Sequence, residues 1–205
     1  MNHAERVGEI IDIGTADYLA QSYALHQAPP LGTFVRTSHG AFDVIGIVAG
    51  SRTSGVDPSR RPIARGQDED DEDDLYRHNP ELPELLRTEF FVRLVGFRQA
   101  GHFHQYLPPV APRLHGFVYV CSAADVRAFT ERLTFLRSLL QPTAGPVAPP
   151  DELVAACIRV AEAAWDGDRA FRVRAGKEIA SMLLTDVTRL EAILRRIQEV
   201  APARR

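Results

Sequence analysis

Two histidines, His102 and His104, flank Phe103. On an extended strand successive side chains alternate between faces, so both imidazoles point to one side, as a pair of metal ligands does. A catalytic metal site takes three protein ligands, and no third donor stands beside them; His115 or His78 would have to be brought in by the fold. With nearby carboxylates the pair is the seed of one reading, a metal-dependent nuclease or phosphohydrolase. The plainer reading is a pair of exposed strand histidines. The second charged feature is Asp68 to Asp74, seven consecutive acidic residues. Such a run can take divalent cations or imitate nucleic-acid phosphates toward a basic partner. It has none of the glycine and spacing of a calcium loop, however, and reads more simply as a solvated segment. Arg60, Arg61 and Arg65, just upstream, either neutralise it or touch nucleic acid. Phe103 and Tyr106 are of the type that stacks on single-stranded bases from a barrel face, although core or interface packing is the plainer reading.

Other chemistry lacks its pattern. There is no G-x-S-x-G elbow for a serine nucleophile, and neither Cys121 nor Cys157 has neighbours that would activate a thiol. Both cysteines fall on apolar positions and are expected as free buried thiols rather than a disulfide. The only lysine among 24 basic residues, Lys177, lies in Ala175-Gly176-Lys177-Glu178, without the second glycine and the following hydroxyl that a phosphate loop requires. No catalytic residue, cofactor or metal is therefore assigned, and His102 and His104 stay the only metal candidates.

The elements that would position these residues are read from composition and period. A chain of 205 residues, 45% hydrophobic, can bury a core, which excludes disorder throughout. Removing the seven negative charges of the acidic run from the formal −3 leaves +4, a mildly basic body, short of the strongly basic face that marks a nucleic-acid binder. Asn2 to Glu9 is polar, and no apolar run approaches the roughly 18 residues of a membrane span, so the expected compartment is the cytoplasm, with no membrane partner.

Strands are predicted over Arg6 to Ile13, Tyr18 to Leu25, Leu31 to Val35, Phe42 to Ala49, Glu89 to Phe97, His102 to Leu107 and Gly116 to Val120. Val44 to Val48 is apolar on both faces, which predicts a barrel whose outside is also covered. Gly8, Gly32 and Gly46 fit the close backbone approaches of a closing barrel. Residues 51–87 read as a long acidic, mobile loop ending in a short helix near Pro80 to Leu86. At Ser122 the period changes to 3.6: Val126, Phe129, Leu133, Leu136 and Leu140 form one helical stripe, with Ser122 and Asp125 as a cap. Pro142 to Pro150 is a linker. Helices follow from about Asp151, Asp168 and Asp186, and the tail Pro202 to Arg205 is expected to fray. The fold class expected is α+β: a small closed N-terminal β-barrel of six to seven strands over residues 1–121, then an antiparallel helical bundle over 122–205.

Arg6-Val7-Gly8-Glu9-Ile10-Ile11, then Pro30-Leu31-Gly32-Thr33-Phe34-Val35 and Val44-Ile45-Gly46-Ile47-Val48, resemble the HAS barrel. This is the N-terminal β-barrel shared by HerA-type DNA-translocating ATPases and the ATP-synthase catalytic subunits. Glu89 to Phe97, Pro108-Pro109 and Gly116 to Val120 resemble its later strands, so the likeness spans roughly the first 120 residues. In that family the barrel sits on a hexameric motor ring and helps it assemble or recruit partners such as the NurA nuclease. The resemblance implies a stand-alone accessory protein of DNA processing or repair, without its own ATPase core. Such a protein would bind a HerA- or FtsK-like ATPase in trans or self-assemble as a homo-oligomer, with DNA contact as a further alternative.

Overall fold

The structure, a computed structural model, describes residues 5–57, 59, 62–68 and 70–198. Arg60, Arg61, Glu69 of the acidic run and the tail Pro202 to Arg205 lie outside the described residues. In chain order the strands are β1 (Arg6–Ile13), β2 (Asp17–Ser22), β3 (Phe34–His39), β4 (Phe42–Gly55), β5 (Leu86–Gln99), β6 (His102–His104) and β7 (Phe117–Val120). The helices are α1 (Glu72–His78), α2 (Leu82–Leu85), α3 (Ala123–Phe129), α4 (Leu136–Leu139), α5 (Pro150–Ala164), α6 (Arg169–Met182) and α7 (Val187–Gln198).

The alternation along β4 sets the architecture. Val44 and Val48 point one way and join Ile10, Tyr18, Val35, Phe90, Val92 and Val118 in one buried cluster. Ile45, Ile47 and Ala49 point the other way and join a second cluster with Phe34, Val95 and the helices. A strand that is apolar on both faces is stable only if both are covered, and here a ring of strands covers one and helices the other. β2, β1, β7, β3, β4 and β5 follow one another in hydrogen-bonded order. β2 then pairs with β5, from Asp17 opposite Arg93 to Gln21 opposite Glu89, which closes a six-stranded antiparallel barrel. Closure removes the exposed sheet edges that would otherwise invite aggregation. β6 stands outside the ring as a short hairpin extension of β5, with Phe97 opposite His104. The fold is α+β, a closed β-barrel followed by helices.

β3 runs from Phe34 to His39 where Leu31 to Val35 was expected, and β6 ends at His104 rather than Leu107; three further segments depart from expectation. Ser51–Gly55 and Leu86–Arg87, expected in the long loop, continue the β4–β5 ladder to Gly55 opposite Leu86. Polar cross-strand pairs hold them where apolar alternation is missing. Arg52 pairs with Glu89, and the Thr53 and Thr88 hydroxyls bond to each other at 2.8 Å. The last part of the acidic run, Asp71 to Asp74, forms the start of α1. The Asp71 side chain accepts the Asp74 N–H at 2.7 Å, and Glu72, Asp73 and Asp74 occupy the first turn, where the helix dipole favours negative charge.

The third departure is the stripe from Val126 to Leu140, which is not one helix. It breaks after Phe129 into α3 and α4, although all five stripe residues are buried. The break is held from outside. Gln105 Nε2 donates to the carbonyls of Phe129 at 2.6 Å and Arg132 at 2.8 Å, while its Oε1 accepts from the Thr134 hydroxyl and the Phe135 N–H. Trp165 Nε1 donates to the Thr130 hydroxyl, which itself donates to Val126 O. These bonds satisfy the backbone groups that a helix end leaves bare.

The seam between barrel and helices is aromatic. Phe129 lies 6.2 Å from Phe34 of β3, 5.1 Å from Phe135 and 5.6 Å from Phe103 of β6, ring centre to ring centre. Each such pair contributes about 0.5–1.5 kcal/mol beyond its buried area. Arg93, pointing outward from β5, donates to the carbonyls of Ser138 at 2.7 Å and Gln141 at 3.0 Å, so a barrel side chain completes the end of α4. Gly32 permits a close backbone approach between barrel and helix. Its φ is +83°, and a Cβ there would stand 2.5 Å from the carbonyl carbon of Ala156 in α5.

Candidate functional site

The helices cover only part of the barrel. The cluster they build draws its barrel residues from β3, β4, β5 and Cys121 just past β7, with Phe103 of β6 packed against it, and none from β1 or β2. Among the described residues no part of that cluster lies on the outer face of β2, β1, β7 and the far half of β3, an open face whose composition is unlike a solvated sheet. Val118 and Val35 point into the barrel, so their neighbours Phe117, Tyr119 and Arg36 point out. The register sets Tyr119 opposite both Arg6 and Arg36, on the strands either side of it. Arg6 places its guanidinium carbon 5.0 Å from the centre of the Tyr23 ring and 4.8 Å from that of Phe117. Arg36 lies 5.1 Å from the ring centre of Tyr119. Tyr23 is 52% exposed and Phe117 44%. Lying on an aromatic face stabilises a guanidinium by about 0.5–1 kcal/mol at an exposed site and leaves its N–H donors directed outward.

The charge pairing separates this face from the rest of the molecule. Arg52 and Arg87 meet Glu89, Arg98 meets Asp43 and Asp125, Arg172 meets Glu162, and Arg189 meets Asp151. Among the described residues, neither Arg6 nor Arg36 forms a salt bridge with a carboxylate, although the charge of Arg36 acts on Asp43. The acid set into the face, Glu9, is engaged by His115 Nδ1 at 2.5 Å and accepts from the Tyr23 hydroxyl at 3.5 Å. Asp43 marks the boundary with the covered wall. Burial raises its pKa, but hydrogen bonds from Ser38 and Arg98 outweigh this and hold the carboxyl below its usual value.

The residues singled out by type fall elsewhere. His102 and His104 do share one side of β6, but His104 stacks on Phe97 at 4.8 Å and contacts Tyr106. Among the described residues no group of three or more His, Cys, Asp or Glu side chains is assembled to hold a metal ion, and His115 is engaged with Glu9. A cleft of about 600 Å³ runs beside the pair, between β6 and the α3–α4 break, lined in part by Gln105, Glu131 and Arg132. Phe103 faces the helices, and Tyr106, 61% exposed, leans edge-on against Phe97. Arg65 is neutralised by Glu81 at 2.8 Å. Lys177 is exposed on α6. Cys121 and Cys157 are free and buried, and burial pushes the Cys121 thiol up to about 12 and that of Cys157 higher, so both stay protonated at neutral pH. A Cβ at Gly8 would meet Gln21 O at 2.3 Å, and one at Gly46 would meet the Val92 side chain at 2.3 Å. No helix among the described residues is long and apolar enough to cross a membrane.

The open face escaped a linear reading because its five residues come from β1, β3, β7 and the end of β2. Only ring closure makes them neighbours. Comparison with known proteins adds no relative: no family model matches the chain, and no curated protein matches it.

Proposed function

We propose that the protein is a non-enzymatic accessory barrel of DNA processing or repair that binds a HerA-type DNA-translocating ATPase supplied by another chain. The observation that carries this reading is the closed six-stranded barrel. Its strands β1, β3 and β4 include Arg6 to Ile11, Phe34 to Val35 and Val44 to Val48, which belong to the segments whose residues resemble the HAS barrel. The 205 residues hold no phosphate loop of the G-x-x-x-x-G-K-[ST] pattern, so the nucleotide chemistry is assigned to the partner. In this reading α5, α6 and α7 form an antiparallel bundle that braces one wall of the barrel, and the protein works in the cytoplasm.

The test is the solution mass of the chain alone and after mixing with a HerA-type ATPase from the same organism. A complex of defined stoichiometry is the expected result. A chain that stays monomeric and does not shift the mass of the ATPase overturns the proposal.

A further inference from the structure

We propose that the open barrel wall carrying Arg6, Tyr23, Arg36, Phe117 and Tyr119 is a binding surface for single-stranded DNA. Proteins that hold single strands combine cations that track the phosphates with aromatic side chains on which bases stack. This wall has both, interleaved. Adjacent strands lie about 4.8 Å apart, so the array from β2 across β1 and β7 to β3 spans about 15 Å, room for a short run of nucleotides. Among the described residues the two guanidiniums form no salt bridge, whereas Arg52, Arg98, Arg172 and Arg189 each meet a carboxylate elsewhere. A guanidinium on a ring keeps a fixed position while its donors remain available to phosphate oxygens.

Charge complementarity decides between occupants. An acidic protein surface and a DNA strand both answer Arg6 and Arg36, but only the strand supplies planar faces in series for Tyr23, Phe117 and Tyr119. Glu9 is the acid of this wall, hydrogen-bonded by His115 and the Tyr23 hydroxyl, and Arg6 and Arg36 outnumber it. A duplex hides its base faces and gives the rings nothing to stack on. The choice of DNA over RNA rests on the place proposed above beside a DNA-translocating ATPase. Binding by the chain alone needs no ATPase, so the two proposals fail separately.

The probe is a fluorescently labelled oligo-dT of about 20 nucleotides, longer than the usual site of a small barrel. Anisotropy is measured with the full chain between about 50 and 200 mM salt, with thermal unfolding as the check on folding. Saturable binding is expected, stronger for oligo-dT than for oligo-rU or a duplex of equal length. Phe117→Ala should weaken it about ten-fold, whereas Phe117→Tyr, which keeps the ring, should hold it within about two-fold. The double variant Arg6→Ala/Arg36→Ala should lower the slope of log K against log salt by about 1.4, at about 0.7 for each phosphate no longer neutralised. No binding at 50 mM salt overturns the proposal, as does duplex binding equal to single-strand binding, tighter binding to oligo-rU, or an unchanged salt slope in a folded double variant.

Discussion

Phe129, at the end of α3 over the covered wall of the barrel, and Phe117, on β7 of the open wall, are the same residue type. Phe129 is 2% exposed, seated among Phe34, Phe103 and Phe135. Phe117 is 44% exposed, and the guanidinium of Arg6 lies over its ring. On the covered wall the outward side chains are Ile45, Ile47, Ala49 and Val95, whose burial is non-directional and roughly proportional to area. On the open wall arginine alternates with aromatic rings. One side of the barrel is built for stability, and the other carries exposed apolar surface for which the fold itself has no use. Large exposed rings there lie beside two arginines that form no salt bridge among the described residues, the combination that the proposed single-strand surface uses.

The difference can be tested by removing the same ring from each wall. Phe129→Ala is expected to cost about 3–5 kcal/mol in chemical denaturation, and a loss below about 1 kcal/mol would break the comparison. Next in size is Gly32→Ala, which must hold a side chain at φ +83° and displace the backbone of α5 at Ala156. Its cost should be about 3 kcal/mol, read in the same denaturation curves.

Asp43 offers a smaller, pH-dependent effect at the boundary between walls. Because its carboxyl is held below its usual value in the folded state, it contributes stability above the unfolded pKa of about 3.9. That contribution is lost as pH falls through the folded pKa. Asp43→Asn should therefore be less stable than the native chain at neutral pH and show a shallower loss on acidification below about pH 4. Parallel acid-unfolding profiles would contradict the pairing with Arg98 and Ser38. Smallest of all, Phe117→Ala should change stability by less than about 0.5 kcal/mol while changing oligonucleotide affinity. Destabilisation of both Phe variants to the same degree would erase the distinction.

What could be read in the sequence depended on whether neighbours in space were also neighbours in the chain. Val44 to Ala49 announced cover on both sides because the requirement is local to one strand. The Ser122 cap was equally legible, since its partner Asp125 lies three residues on, and the Ser122 hydroxyl does accept the Asp125 N–H at 3.1 Å. The break between α3 and α4 was hidden because the apolar spacing runs through it unchanged. Gln105, which satisfies the exposed backbone groups, comes from the segment after β6. The strand at Ser51–Gly55 was hidden by its polar composition, which makes sense only opposite Glu89 and Thr88. Of the residues singled out for chemistry, His102 and His104 were correctly placed on one side of a strand. The open wall was not foreseen, because no stretch of chain contains more than two of its five residues.

The reach of Arg93 from the barrel to the end of α4 has a practical meaning for anyone dividing the chain. A fragment beginning at Ser122 would carry α4 with its last carbonyls uncapped and Phe129 without Phe34 to lie against. A fragment ending at Cys121 would present Phe34, Ile45, Ile47 and Val95 to water as one greasy stripe. Both pieces should precipitate when expressed singly and stay in solution when produced together, because each covers the apolar face that the other leaves bare.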